Sequence, residues 1–474
     1  MRRAARLLRL GAVAAAAAAL AGCLPSYMRP PASAQVTVPA EWREPNAGSA
    51  VVEAQWWRAF GDPVLSELVQ AALARNSDVL ATVARVDEAR ALAAVAESVR
   101  LPSLNAVLGA QAGRALDSNG VSNTRVLQPG LQASWELDLW GRLRNQAQSA
   151  SLQYRATQAE RDGVALGVAG ATAQAYIGLL ALDAQLELTR ATLRSRAEAL
   201  RLATDQVRVG YSSQLQLTQA QSEHEAVLQA IPELELAIRR QENALRLLVG
   251  ELPGAVARPR RFAALQLPPL PAALPSQLLA RRPDVAQRAL LVAASDANLA
   301  ARRAAFLPQV SLSAQLGELM VNGLHYDPIT VWSLGSSILA PLFSGGRLTA
   351  QMEAAAAQRD QAAFGYRKSV LTAFSEVENA LTGVGRLGEQ VRHADERRAI
   401  LTRSLGFAHD RYQAGYASYL EELDAQRNLY RVELDTITLR RTQFENAIAL
   451  YRALGGGWQQ EAVASNAAIA SKTR

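Results

Sequence analysis

Residues 73–102 read LARNSDVLATVARVDEARALAAVAESVRLP, and residues 279–308 read LARRPDVAQRALLVAASDANLAARRAAFLP. Leu73-Ala74-Arg75, Asp78-Val79 and Leu101-Pro102 return as Leu279-Ala280-Arg281, Asp284-Val285 and Leu307-Pro308, each displaced by 206 residues. Two further anchors return at an offset of 205: Gly141-Arg142-Leu143 as Gly346-Arg347-Leu348, and Gly210-Tyr211 with Ser213 and Leu215 as Gly415-Tyr416 with Ser418 and Leu420. Separate anchors at nearly one spacing identify a tandem duplication. We read residues 62–250 as the first copy and 276–455 as the second, joined by a Pro-rich linker over 251–275 and followed by a polar tail, 456–474.

Each copy shows the same order: helix, two strands, very long helix, Gly turn, long helix. Asp62-Pro63 supplies an N-cap and a first-turn proline, and the helix it opens is expected to run to about Arg100, ahead of Pro102. In the first copy Leu127, Pro129, Leu131, Ala133, Trp135, Leu137 and Leu139 alternate with Gln128, Gly130, Gln132, Ser134, Glu136 and Asp138, a period of two. Leu104, Ala106, Leu108, Ala110 and Ala112 form the hairpin partner, across a loop at Asp117-Ser118-Asn119-Gly120. Strands are expected at about 103–115 and 125–139, and in the second copy at about 308–318 and 330–342. There Val310, Leu312, Ala314 and Leu316 face Trp332, Leu334, Ile338 and Leu342 around Asn322-Gly323. Ten-residue strands with one apolar and one polar face fit a transmembrane β-barrel. Four strands cannot close such a barrel, whose minimum is about eight. Open edges would leave backbone groups unpaired in lipid, so several chains must contribute. Two chains would supply eight strands and three would supply twelve.

Arg142 to about Arg208 contains no proline and, as a helix, would run about 100 Å. After Gly210, Leu217, Ala220, His224, Val227, Ile231, Leu234, Ile238, Gln241, Leu245 and Leu248 follow alternating three-and-four spacing, a coiled-coil seam carrying Pro232 as a kink. Leu420, Leu423, Arg427, Tyr430, Leu434, Ile437, Arg441, Phe444, Ile448 and Tyr451 repeat it. Val164 to Leu182 is uncharged and long enough to suggest a membrane helix. Its counterpart carries Glu376 and Glu378 where this stretch has Ala171 and Ala173, so a packed helical wall is expected instead.

The composition agrees with this architecture. Hydrophobic residues make up 49% of the 474 but aromatics only 5%, so Ala, Leu and Val dominate, as in packed helices. One cysteine excludes a disulfide framework and cysteine-based metal or redox sites. His224, His325, His393 and His409 are scattered, with no metal-ligand spacing, nucleophile elbow or phosphate loop, which argues against an enzyme. The N-terminus reads MRRAARLLRLGAVAAAAAALAGC: a basic start, an apolar run from Leu10 to Gly22 too short to span a bilayer, then Cys23. This pattern is expected to be a signal peptide, residues 1–22, ahead of a Pro- and Trp-rich extended arm over 23–61. Removing Arg2, Arg3, Arg6 and Arg9 lowers the net charge from +7 to +3, a weak basis for binding nucleic acid.

Several stretches resemble the outer-membrane factor family, the TolC/OprM-like channels of tripartite efflux pumps, within its NodT-type lipoprotein branch. They are Trp56-Trp57-Arg58-Ala59-Phe60-Gly61-Asp62-Pro63, Ala72-Leu73-Ala74-Arg75-Asn76-Ser77-Asp78, Glu136-Leu137-Asp138-Leu139-Trp140-Gly141-Arg142, Arg281-Arg282-Pro283-Asp284, Leu342-Phe343-Ser344-Gly345-Gly346-Arg347, Leu423-Asp424-Ala425-Gln426-Arg427 and Ala453-Leu454-Gly455-Gly456-Gly457-Trp458. The resemblance implies a mostly α protomer with transmembrane β, and a homotrimer whose twelve-stranded β-barrel, four strands per chain, continues into a twelve-helix α-barrel. Leu20-Ala21-Gly22-Cys23 resembles a lipobox, which implies diacylglycerol and an N-acyl chain on Cys23 as the only covalent additions, with no cofactor. Leu24 stands where an inner-membrane retention signal has Asp, which implies the outer membrane, with the tunnel reaching into the periplasm.

The implied partners are outer-membrane lipid, a periplasmic adaptor (membrane fusion protein) and an inner-membrane transporter of the resistance-nodulation-division (RND) type, and the implied cargo is drugs or other small molecules. Adaptor docking is implied at the two tips: Val209, Gly210, Tyr211, Ser212 and Ser213, and Ala414, Gly415, Tyr416, Ala417 and Ser418. The pore constriction is implied at Leu420 and Asp424, four apart on one helix face, with Tyr412 and Arg411 as latch residues. Gln413 stands where a relative has Arg in that latch, and the first copy offers Leu215 and neutral Gln219 in place of Leu420 and Asp424. A type I protein-secretion channel would share this fold, and a periplasmic adaptor lipoprotein would share the lipobox and a helical hairpin, though not two copies of hairpin plus strand pair.

Overall fold

A computed structural model describes residues 30–44, 48, 50, 52–117, 120–272 and 275–458. Cys23, the signal segment and the tail from 459 onward lie outside the described residues. The elements are α1 (Pro63–Arg75), α2 (Ser77–Ser98), β1 (Ser103–Asp117), β2 (Gly120–Leu137), α3 (Arg142–Arg208), α4 (Gln214–Val249), α5 (Pro275–Arg281), α6 (Pro283–Ala304), β3 (Gln309–Val321), β4 (Ile329–Leu339), α7 (Arg347–Gln413) and α8 (Tyr419–Ala453). The chain is mostly helical, with one small antiparallel sheet. It divides into two compact units: one formed by residues up to 36 with 84–158 and 287–368, the other by 37–83, 159–286 and 369 onward.

The first unit carries the sheet, in the order β1-β2-β3-β4, all neighbours antiparallel. The register places Leu104 opposite Ala133, Ala133 opposite Ala314 and Ala314 opposite Leu334. Similarly, Ala106, Leu131, Leu316 and Trp332 form one row. Partners in a ladder share a face, so the alternation merges into one apolar face and one face of Ser, Gln, Asn and Gly. The apolar face is bare: Leu104, Leu108, Trp332, Leu334 and Ile338 are each 68–78% exposed. Pro129 sits inside the central strand β2 and has no N–H to donate, and the β2–β3 ladder lapses beside it. Gly130 and Gly317 face one another just beyond; a Cβ on Gly317 would strike the Pro129 carbonyl.

The junction from β2 into α3 explains the Glu136–Arg142 stretch. Asp138 accepts hydrogen bonds from the Leu143 and Arg144 N–H groups at 3.0 and 2.8 Å, neutralising the open start of the helix. Gly141 supplies the positive φ of the turn (77°), and Arg142 reaches back to both oxygens of Glu136 at 2.6–2.7 Å. In the same unit Leu299, Met352, Ala355 and Ala356 form a small core with Phe306, and the Ser149 hydroxyl donates to the Ala294 carbonyl at 2.8 Å.

The second unit holds the main core. Trp56, Trp57, Phe60, Leu65 and Val69 pack with Ala173, Tyr176, Ile177, Leu180, Ile238, Leu245, Phe444, Ile448 and Tyr451. Part of the uncharged stretch Val164–Leu182 therefore lies in a protein core, and its counterpart Glu376 binds Arg282 at 2.6 Å. The N-terminal arm lies on the helices, with Trp56 stacked on Tyr451 at 5.8 Å and Trp42 against Phe374 at 5.5 Å. Asp62 caps α1 through the Val64 N–H and also accepts from the buried Tyr176 hydroxyl at 3.0 Å. Burial and that carboxylate push the Tyr176 pKa up.

Some expectations need correction. The helix expected from Pro63 to about Arg100 is two helices, because Asn76 leaves helical geometry (ψ 130°) and caps α2 by accepting from the Asp78 N–H at 2.9 Å. Both hairpins differ in extent from the expected strands: β1 and β2 come within two residues of each other, and β4 ends at Leu339, leaving Leu342 beyond the ladder. Leu420 and Arg427, expected on the second seam, are largely exposed, whereas every first-copy seam residue from Leu217 to Leu248 is buried or half-buried.

Candidate channel tip and constriction

The two helical hairpins of the second unit turn at Val209–Ser213 and Ala414–Ser418 with the same backbone geometry. Gly210 (φ 79°) and Gly415 (φ 76°) take the left-handed conformation that ends a helix. The Tyr211 N–H donates to the Gln206 carbonyl at 2.8 Å, and the Tyr416 N–H to that of Arg411 at 2.9 Å. A Cβ on either glycine would meet nothing within 4 Å, so φ alone requires glycine here. Ser213 caps α4 by accepting from the Gln216 N–H at 3.3 Å, whereas the Ser418 side chain forms no cap bond. Ser212 and Ala417 are half-covered and the remaining tip residues exposed; Tyr211 and Tyr416 stand out at 88% and 81%.

Tyr412 joins the hairpins. Its hydroxyl accepts from Gln216 Nε2 at 2.7 Å and donates to Gln206 Oε1 at 3.3 Å, and its ring lies 5.8 Å from that of Tyr419. One side chain thus links the ends of all four long helices. Arg411 stays within its own turn, donating to the Tyr416 carbonyl at 3.4 Å and lying 3.6 Å from Glu421. Leu420 is 53% exposed although its neighbours Tyr419 and Leu423 are buried. Asp424 is also exposed and accepts from Asn428 Nδ2 at 3.0 Å. Leu420 and Asp424 therefore form an open strip on α8, with the seam on its other side.

A polar layer just above the turns escaped the sequence reading. Arg196, 3% exposed, lies 3.8 Å from Glu223 and donates to Gln426; Arg427 also binds Glu223, at 2.9 Å through Nε. Burial pulls the Arg196 pKa down against the opposing pull of Glu223. Glu422, also buried, accepts from Gln426 at 3.1 Å and lies 2.9 Å from His409 Nδ1. The available signal was Arg427 itself, a charge at a seam position, which calls for a buried partner on the facing helix.

The comparisons bear on what such a chain is. A family model described as outer membrane efflux protein matches residues 68–251 and again 274–456, once per copy. The chain belongs to the outer membrane efflux protein family. It is 33% identical over 443 residues to the pyoverdine export outer membrane protein OpmQ of Pseudomonas aeruginosa, covering 91% of this chain and 94% of the relative. It is likewise 33% identical over 454 residues to the cation efflux system protein CusC of Escherichia coli, covering 94% and 98%. Among solved structures, the outer-membrane channel OprN superposes with a TM-score of 0.85 at 28% identity, over 92% of this chain and all of that one. As a member of the efflux protein family, the chain is an outer-membrane efflux channel that extends into the periplasm, a passive conduit and not an enzyme.

Proposed function

We propose that three copies of this efflux protein close a twelve-stranded barrel in the outer membrane, continuous with a twelve-helix tunnel, as the exit duct of a tripartite pump for drugs or other small molecules. The observation that carries this reading is the sheet. Its apolar face is exposed, and β1 and β4 each pair on one side only. An open edge in lipid leaves backbone groups unpaired, and pairing β1 of one copy with β4 of the next removes both edges. The other face carries no Lys or Arg, and its two acids take register positions at opposite ends, Asp117 at the hairpin turn and Glu136 next to the helices, so between them the lumen is a neutral wall of groups such as Gln128, Gln132, Ser313, Gln315 and Ser333. Such a wall admits cargo of either charge.

Leu420 and Asp424 form the constriction in this reading, supported by their exposure on α8 beside buried Leu423. Tyr412 and Arg411 act as latch residues that hold the tip closed. The residues from Val209 to Ser213 and from Ala414 to Ser418 receive the periplasmic adaptor, and through it an inner-membrane transporter of the RND type. Cys23 carries the lipid anchor. The deciding experiment places one cysteine at Asn105 on β1 and a second at successive positions from Thr330 to Ser337 on β4. Disulfide-linked multimers ending at trimer are expected in native membranes; exclusively monomeric protein in every pairing would overturn the barrel.

A further inference from the structure

The apolar face of the sheet ends in two cations. On β2 that face runs from Leu137 to Leu127, ten residue steps, which at about 3.4 Å each and a barrel tilt near 40° gives a band about 25 Å tall. The next residue outward on the same face is Arg125, opposite Ala112; Arg114 follows, opposite Asn123. Both are exposed. They are the only Lys or Arg in the described strands, and both fall on the lipid-facing side, toward the hairpin turns and away from the helices. Because Arg125 stands opposite residue 112, Arg114 is its diagonal neighbour, close enough for two long side chains to converge on one group. The only carboxylate on this face in the described strands, Glu318, pairs with Thr330 on β4, beside the lapse in the β2–β3 ladder and nearer the helices. Two neighbouring guanidiniums repel unless an anion joins them, and a guanidinium pair matches the oxygens of a phosphate.

We propose that Arg114 and Arg125 bind the phosphate of the anionic glycolipid that forms the outer leaflet, fixing the barrel's depth and holding a ring of lipid around it. This rests on the barrel reading above. Without that reading, the same pair would be an ordinary solvated edge.

The test uses the full-length protein, as wild type, Arg114→Gln/Arg125→Gln and the distant control Arg194→Gln, purified from outer membranes and reconstituted in detergent. Trimer melting is followed on titration with lipopolysaccharide bearing its lipid A phosphates, with the dephosphorylated form, and with inorganic phosphate. The phosphorylated lipid should raise the melting temperature of the wild type and the control, and the double variant should need about thirtyfold more of it. Equal responses of variant and wild type, or full protection by inorganic phosphate or by dephosphorylated lipid, would overturn the lipid site and leave the channel intact. Failure of the wild type to form trimers would overturn the barrel reading and the lipid site together.

Discussion

The role proposed for Asp424 is argued from its surroundings. Leu423 beside it is fully buried and Ala425 nearly so, leaving Asp424 exposed on the strip that begins at Leu420. Three such carboxylates around an axis would concentrate cations. Asp424→Ala is therefore expected to raise single-channel conductance in planar bilayers and to weaken cation preference; if neither value moves, the constriction lies elsewhere. The glycines offer a second contrast. Gly455 has φ 89°, and a Cβ there would drive into the Arg281 carbonyl; Gly250 meets the Arg75 carbonyl in the same way in the first copy. This contact explains why a glycine ends the long hairpin in both copies: the end of a short helix must press on bare backbone. Gly455→Ala should destabilise the second unit by about 2–4 kcal/mol, and Gly415→Ala, where only φ is violated, by about 1–2 kcal/mol. Denaturant unfolding of the solubilised protein would rank the two; a larger effect at Gly415 would contradict the argument.

At the scale of elements, the sheet was legible because a period of two is visible in the letters and register then follows from keeping apolar residues on one face. The breaks at Asn76 and at the end of β4 were not, because both depend on local caps and turns that compete with a favourable run. Leu420 marks a different limit. Heptad spacing places it on the seam, but the buried side of α8 runs through Tyr419, Glu422 and Leu423, which leaves Leu420 outside it. The polar layer around Arg196 was illegible for a related reason, since its members come from helices far apart in sequence. The exposed apolar face yields its own prediction. Leu334→Arg adds a charge in the middle of the band, where the cost is about 2–4 kcal/mol, and should lower the amount of assembled protein in the outer membrane. Leu334→Phe should not. Equal membrane levels of the two variants would show that this face does not meet lipid.

For the whole molecule, the duplication sets the plan, and the family model matches once in each copy. The second copy has Asp424 where the first has Gln219, so any ring of carboxylates follows the number of chains, not the number of hairpins. Attachment to the membrane is a separate matter from spanning it: Cys23→Ser should abolish incorporation of labelled palmitate, and label retained on that variant would refute the anchor. Trp56 stacks on Tyr451; Gly456 lies against Leu166 and Trp56, and Gly457 against the backbone at Glu53 and Ala54, too closely for either to carry a side chain without a shift. The stretch just ahead of α1 and the end of α8 thus complete a single core. During synthesis Trp56 emerges early and waits until nearly the whole polypeptide has crossed the inner membrane before its partner arrives. A chain cut short before Tyr451 leaves Trp56 without the ring it stacks on, so an unfinished product would expose an aromatic face that the complete chain covers.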